Sequence, residues 1–236
     1  MRVAELRQRL DALGAGPLHV QRVLREWTHA LAPDSHRRRN DDFLPLALRE
    51  ALPALRAELA GLATLRSRHP GEDGSERLLV GLHDGQAAEA VLLPRDGVCV
   101  SSQIGCAVGC AFCMTGVGGL VRQIGSAEIV AQVVLARQQR PVKKVVFMGM
   151  GEPAHNLDNV LEAITLLGTV GQIAHKQLVF STVGDERAFD ALDALGPGAV
   201  RPALALSLHT SRAELRERLL PRAPRLTPEE IGRAHV

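Results

Sequence analysis

The chain has 236 residues, 46% hydrophobic, 23% charged and 3% aromatic, and that length and apolar content suffice for one large domain or for a small domain beside a medium one. Its net charge of +2 is too small to argue for nucleic acid by itself, and the scarcity of aromatics leaves no base-stacking surface visible. Four cysteines do not read as a secreted disulfide framework, no apolar run is long enough to cross a bilayer, and Met1-Arg2-Val3-Ala4-Glu5-Leu6 lacks a signal-peptide core, so the expectation is a cytoplasmic protein with no membrane partner.

Residues 1–62 read as a small helical accessory domain. Leu6, Leu10 and Leu13 recur at helical spacing until Gly14-Ala15-Gly16-Pro17 breaks the run. A second helix is predicted from His19 to Leu31, carrying Trp27, before Pro33-Asp34-Ser35 turns the chain. The basic run His36-Arg37-Arg38-Arg39 is met at once by Asp41 and Asp42 and reads as solvated loop. Leu46 to Leu59 gives a third helix. Residues 63–95 are predicted to form a β-hairpin and linker, with Leu78–Leu82 and Ala88–Leu93 flanking His83-Asp84-Gly85.

From residue 96 to 230 the rhythm is strand, loop, helix, repeated. Strands are predicted at Val98–Val100, Lys143–Met148, Leu178–Phe180 and Ala203–Leu206. Helices are expected from Ser126, around Val160 to a closing Gly168, and after a capping box at Ser211-x-x-Glu214. Continuous apolar strands alternating with amphipathic helices imply an α/β fold with a parallel sheet, open or barrel-like. Functional groups in such folds sit on the loops at the C-terminal ends of the strands.

The first of those ends delivers Cys106-Ala107-Val108-Gly109-Cys110-Ala111-Phe112-Cys113. Three thiolates on one loop can hold three irons of a 4Fe–4S cubane and leave the fourth iron open. Structural zinc sites more often gather two separated ligand pairs, and no second pair exists here. The next end delivers Gly149-Met150-Gly151-Glu152-Pro153, where two glycines permit close approach of a ligand and Glu152 offers an acceptor for an ammonium group. Ser181-Thr182-Val183-Gly184 and Ser207-Leu208-His209 complete the set, His209 being as readily a packed imidazole as a ligand contact.

The CxxxCxxC spacing with Phe112 before the last cysteine is the signature of radical S-adenosylmethionine (SAM) enzymes. From about Leu6 to about Glu229 the chain resembles the RlmN/Cfr family of radical-SAM RNA adenine methyltransferases. The resemblance is carried by Cys99-Val100-Ser101-Ser102-Gln103-Ile104-Gly105-Cys106, the cysteine loop, Met148-Gly149-Met150-Gly151-Glu152-Pro153, Phe180-Ser181-Thr182 and Leu206-Ser207-Leu208-His209.

That resemblance implies a partial radical-SAM (β/α) barrel, incomplete at its C-terminus. It implies a 4Fe–4S cluster on Cys106, Cys110 and Cys113, and SAM held by Gly151, Glu152, Ser181, Ser207, Leu208 and His209. The reaction it implies is methylation of C2 of an adenosine in 23S ribosomal RNA, or also transfer RNA, through a methyl-cysteine. Glu89 matches the family's proton acceptor and Cys99 its resolving thiol, which forms a disulfide. A flavodoxin- or ferredoxin-type electron donor and a monomeric state go with it. The alternatives are another radical-SAM reaction, or a non-catalytic iron–sulfur or zinc module contacting RNA.

No cysteine follows Cys113, so the methyl-carrying cysteine is expected outside these residues, and the chain alone is expected to be inactive and aggregation-prone at an unpaired strand edge. Ile231-Gly232-Arg233-Ala234-His235-Val236 is what a common sequencing adapter encodes, and 231–236 is expected to be a non-native tail.

Overall fold

The computed structural model describes residues 1–31 and 43–225. The turn at Pro33, the basic run His36–Arg39 and the tail from Ile231 lie outside them. Helices α1 (Val3–Ala12), α2 (Pro17–Thr28) and α3 (Leu46–Gly61) come first. Pro17 occupies the first turn of α2, where its missing N–H has no partner to lose, so this helix opens ahead of the predicted His19.

One seven-stranded sheet follows, in the order β1-β2-β3-β4-β7-β8-β9. Its antiparallel part is β1 (Ala63–Pro70), β2 (Glu76–Leu82), β3 (Ala87–Leu93) and β4 (Gly97–Val100). Its parallel part runs from β4 through β7 (Lys144–Phe147) and β8 (Leu178–Thr182) to β9 (Ala203–Leu206). The predicted hairpin is therefore three strands rather than two, and β3 pairs directly with the first parallel strand. A separate two-stranded sheet, β5 (Gln103–Gly105) with β6 (Leu120–Gln123), brackets the cysteine loop.

Helices α4 (Ser126–Arg137), α5 (Leu157–Thr169), α6 (Glu186–Asp193) and α7 (Ala213–Leu219) alternate with the parallel strands. Nearly every side chain of α4, from Ser126 to Ala136, is buried. A helix apolar all round needs cover on both sides. The sheet lies on one side of α4 and α1 and α2 on the other, and one hydrophobic core runs from Val3 to Val200. Arg137 locks this layer by donating to the Thr28 carbonyl at 2.6 Å and the Gly171 carbonyl at 2.8 Å, a cation at the C-terminus of α2.

Two local expectations are corrected. Gly168 does not close its helix, which continues to Thr169; a Cβ there would meet Val200 Cγ1 at 2.4 Å, so close packing excludes a side chain. The capping box at Ser211 does not form either. Helix α7 starts at Ala213 with Arg212 as its N-cap, and Thr210 Oγ1 accepts the Arg212 N–H at 3.2 Å. Among the described residues β9 has no strand partner on its outer edge, and no helix is long and apolar enough to cross a membrane.

Candidate functional site

The parallel strands present two faces. Val98, Val100, Val145, Phe147, Leu178 and Phe180 are buried against the helices. The register sets Cys99 beside Val146, Val146 beside Val179 and Val179 beside Ala203, so these four line the opposite face. On the antiparallel side Val91 pairs with Cys99, and Glu89, two residues earlier on β3, shares that face. Such a diagonal places the two backbones roughly 7–8 Å apart. Glu89 and Cys99 thus look onto one space without touching. Glu89 is half exposed and pairs with Arg77 at 3.4 Å.

Burial pushes the Cys99 thiol from 9.0 up to about 11, opposed by a hydrogen bond with the Met148 backbone. Near neutral pH it is a thiol, not a thiolate. A shift of two units leaves about 100-fold less thiolate, offset by roughly tenfold greater nucleophilicity. Cys99 is therefore expected to react with iodoacetamide at pH 8 on the order of tenfold more slowly than a free thiol, read by mass spectrometry of its peptide. The folded chain holds this proton more tightly than the unfolded one, so the stability contributed by Cys99 is complete below pH 9 and is lost as pH rises toward 11. Alkylation as fast as a free thiol would contradict this placement.

The cysteine loop hangs between β5 and β6. Gly105 turns it with φ +74°, and Cys106 N–H donates to the Gly119 carbonyl at 3.1 Å. Cys106 is buried, and Cys110 and Cys113 are half-buried beside a cleft of about 310 Å³ lined by Cys110, Phe112, Cys113 and Met114. Burial, and then repulsion between neighbouring thiolates, raises Cys110; Cys106 is raised by burial and also by Glu152 and Cys113. Cys106 and Cys110 are thus held protonated partly by neighbouring negative charge, which a bound cation would offset. Among the described residues no three His, Cys, Asp or Glu side chains converge on a single metal ion. A cubane takes one thiolate per iron, which suits three cysteines spread along a loop. The residues fit that group.

Glu152 is 4% exposed at the end of β7. Its Oε1 accepts the Ala154 N–H at 3.1 Å and its Oε2 the Val183 N–H at 3.0 Å, tying the ends of β7 and β8 together. Burial raises its pKa, against hydrogen bonds that lower it. Thr182 adds a side-chain hydrogen bond, so of the roughly four acceptor positions of the carboxylate about one is left for an ammonium group. The close approach predicted at Gly151 is to the chain itself: at φ +101° an added Cβ would meet Gln103 Cβ at 2.6 Å. Gln103 was not singled out in the sequence, yet its Oε1 accepts the Glu152 N–H at 2.8 Å and its Nε2 donates to Gln123 at 2.9 Å.

Further along, Ser181 Oγ and Ser207 Oγ lie 3.3 Å apart across β8 and β9. Leu208 is half-buried, and the exposed His209, at φ +62°, tilts its ring onto Phe112 with centroids 4.6 Å apart. Burial, then Arg216, lowers the His209 pKa. The end of β9 thereby meets the cysteine loop directly. The loop is also pinned from behind, where Ala111 N–H donates to the Leu219 carbonyl at 2.9 Å and Arg222 to the Ala107 carbonyl at 3.2 Å.

This arrangement, three thiols at the first parallel strand end and polar groups at the next three, coincides with a family match. The model described as the Radical SAM superfamily matches residues 100–234. The chain belongs to the radical SAM superfamily. A probable RNA methyltransferase of Azoarcus sp. strain BH72 is 71% identical over 98% of the chain and 66% of its own length. One from Ectopseudomonas mendocina is 63% identical over 100% of the chain and 69% of its own length. The chain thus spans about two thirds of the length of these relatives. The crystal structure of a radical SAM methyltransferase from Sphaerobacter thermophilus superposes with a TM-score of 0.77 at 33% identity, covering 99% of this chain and 70% of that one.

Proposed function

We propose that the whole protein of which these residues form part methylates C2 of an adenosine in 23S ribosomal RNA, or also in transfer RNA, through a methyl-cysteine. The observation that carries this reading is the common face of Glu89 and Cys99, a carboxylate and a neutral thiol flanking one space beside the cysteine loop. A cluster alone would serve any radical-SAM reaction. A proton acceptor and a thiol on the same face of the sheet serve one that must strip a ring proton and release a covalent adduct.

When bound, the 4Fe–4S cluster and SAM supply one-electron radical chemistry at the strand ends. Cys106, Cys110 and Cys113 hold the irons. Glu152 accepts from the ammonium group of SAM, Gly151, packed on Gln103, sets the turn that presents Glu152 to it, and Ser181 with Ser207 to His209 bounds the remainder. Glu89 takes the adenine C2 proton. Cys99 stays protonated until it attacks the methyl-carrying sulfur: its proton is released, the bond from that sulfur to the adduct carbon breaks as the disulfide forms, and the freed carbon takes a proton to become the methyl group. No residue after Cys113 supplies that sulfur. The electron comes from a flavodoxin- or ferredoxin-type donor, and the protein works as a cytoplasmic monomer.

The full-length protein, reduced anaerobically with SAM and 23S RNA, is expected to yield C2-methyladenosine on digestion and mass spectrometry. Cleavage of SAM without any methyladenosine would favour another radical-SAM reaction, and C8-methyladenosine would overturn the C2 assignment.

A further inference from the structure

Arg216, on α7, is 4% exposed, yet among the described residues no carboxylate pairs with it. Its guanidinium donates to the Pro224 carbonyl at 3.2 Å and to the Val183 carbonyl, and its Nε is buried without a hydrogen-bond partner. The acidic side chains of its own helix, Glu214 and Glu217, are exposed. A buried cation satisfied only by carbonyl dipoles is costly to hold unless an anionic charge stands near it. The helix carrying it is hydrogen-bonded to the cysteine loop through Leu219 and Ala111, and Cys106, Cys110, Val183 and Ala223 pack together at that junction. Val183, whose carbonyl accepts from the guanidinium, thus belongs to the packed group that holds Cys106 and Cys110.

We propose that Arg216 is the fixed counter-cation of the iron–sulfur cluster carried by Cys106, Cys110 and Cys113, and that its charge eases uptake of one electron by that cluster. The inference rests on the cluster assignment above. The balance is simple: an external one-electron reductant, dithionite in a titration, loses the electron, the cluster gains one negative charge, and no bond or proton moves. A positive charge held in a poorly screened position stabilises the reduced, more negative state more than the oxidised one. Arg216 is a positioning residue in this sense and touches no substrate.

The test is a potentiometric titration of the anaerobically reconstituted protein, followed by paramagnetic resonance, for the parent, R216M and R216K. R216M is expected to load iron and to lose about tenfold in the reduction equilibrium, a potential lower by about 59 mV for one electron. R216K keeps the charge and is expected within a few-fold of the parent. An unchanged potential in iron-loaded R216M overturns the proposal, as does an equal drop in both variants. Iron lost in R216M but retained in R216K supports it, and iron lost in both overturns it, because lysine preserves the charge. A parent without a cluster would instead overturn the cofactor assignment, a distinct result.

Discussion

Gly105→Ala is expected to abolish iron loading and to destabilise the chain by about 2–5 kcal/mol. Two costs combine. An L-residue held at φ +74° carries roughly 1–2 kcal/mol of backbone strain. Its Cβ would also fall 2.0 Å from the Gly119 carbonyl oxygen, a backbone atom that cannot swing away as a side chain could. Relief requires parting β5 from β6 and giving up the Cys106–Gly119 hydrogen bond, which costs about 1–3 kcal/mol more. Those two strands fix both ends of the cysteine loop, so the thiols lose their common geometry together. Gly118→Ala is the control, since nothing lies within 4 Å of an added Cβ there. Urea unfolding and iron content read both effects, and a G105A chain as stable and as iron-rich as G118A would refute the argument.

The second large effect is on the cofactor. Glu152→Gln is expected to weaken SAM binding about 10- to 100-fold while moving stability little. A charge-assisted hydrogen bond to an ammonium is worth roughly 1.5–3 kcal/mol, and that is the interaction the amide removes. The stability side nearly cancels. The amide turns a donor toward either the Ala154 or the Val183 N–H, a loss, but it also removes a carboxylate buried at 4% exposure, a gain. The direction of the Glu152 shift agrees. A carboxyl whose folded pKa is raised binds its proton more tightly in the native state, so its contribution to stability is present below its unfolded pKa and lost as pH rises through the folded one. Whenever Glu152 is ionised, its burial is therefore a cost to stability rather than a contribution. Equilibrium dialysis of SAM against reconstituted protein measures the first effect and thermal unfolding the second. Unchanged SAM affinity would reduce Glu152 to a tie between two loops.

The parallel part of the fold was legible because its signals are local. Val145-Val146-Phe147 and Ala203-Leu204-Ala205-Leu206 are continuous apolar runs, and the strands fall on them. Strand β1 was missed for the opposite reason. Thr64, Arg66, Arg68 and His69 make it an exposed edge, and its pairing with β2 is a tertiary fact that its own composition hides. Strands β5 and β6 are three and four residues long and reveal themselves only through their pairing.

The site divides the same way. Glu152, Ser181 and Ser207 were readable as strand-end polar residues, and Ser181 and Ser207 do meet. Gln103, which orients Glu152 from 49 residues away, and Arg216, which lies under the cysteine loop, act through contacts distant in sequence, and no local pattern marks them. Gly151 and Gly168 make the same point. Their lack of a side chain serves packing against Gln103 and Val200, and a glycine's reason lies in its neighbour rather than in the string around it.

The most direct test of the whole account is the metal content and Mössbauer spectrum of the protein purified and reconstituted without oxygen. The account predicts about four irons and four sulfides per chain in a cubane with one iron distinguishable from the other three, a difference that sharpens when SAM is added. A single bound zinc, or iron present without a cubane spectrum, would contradict it.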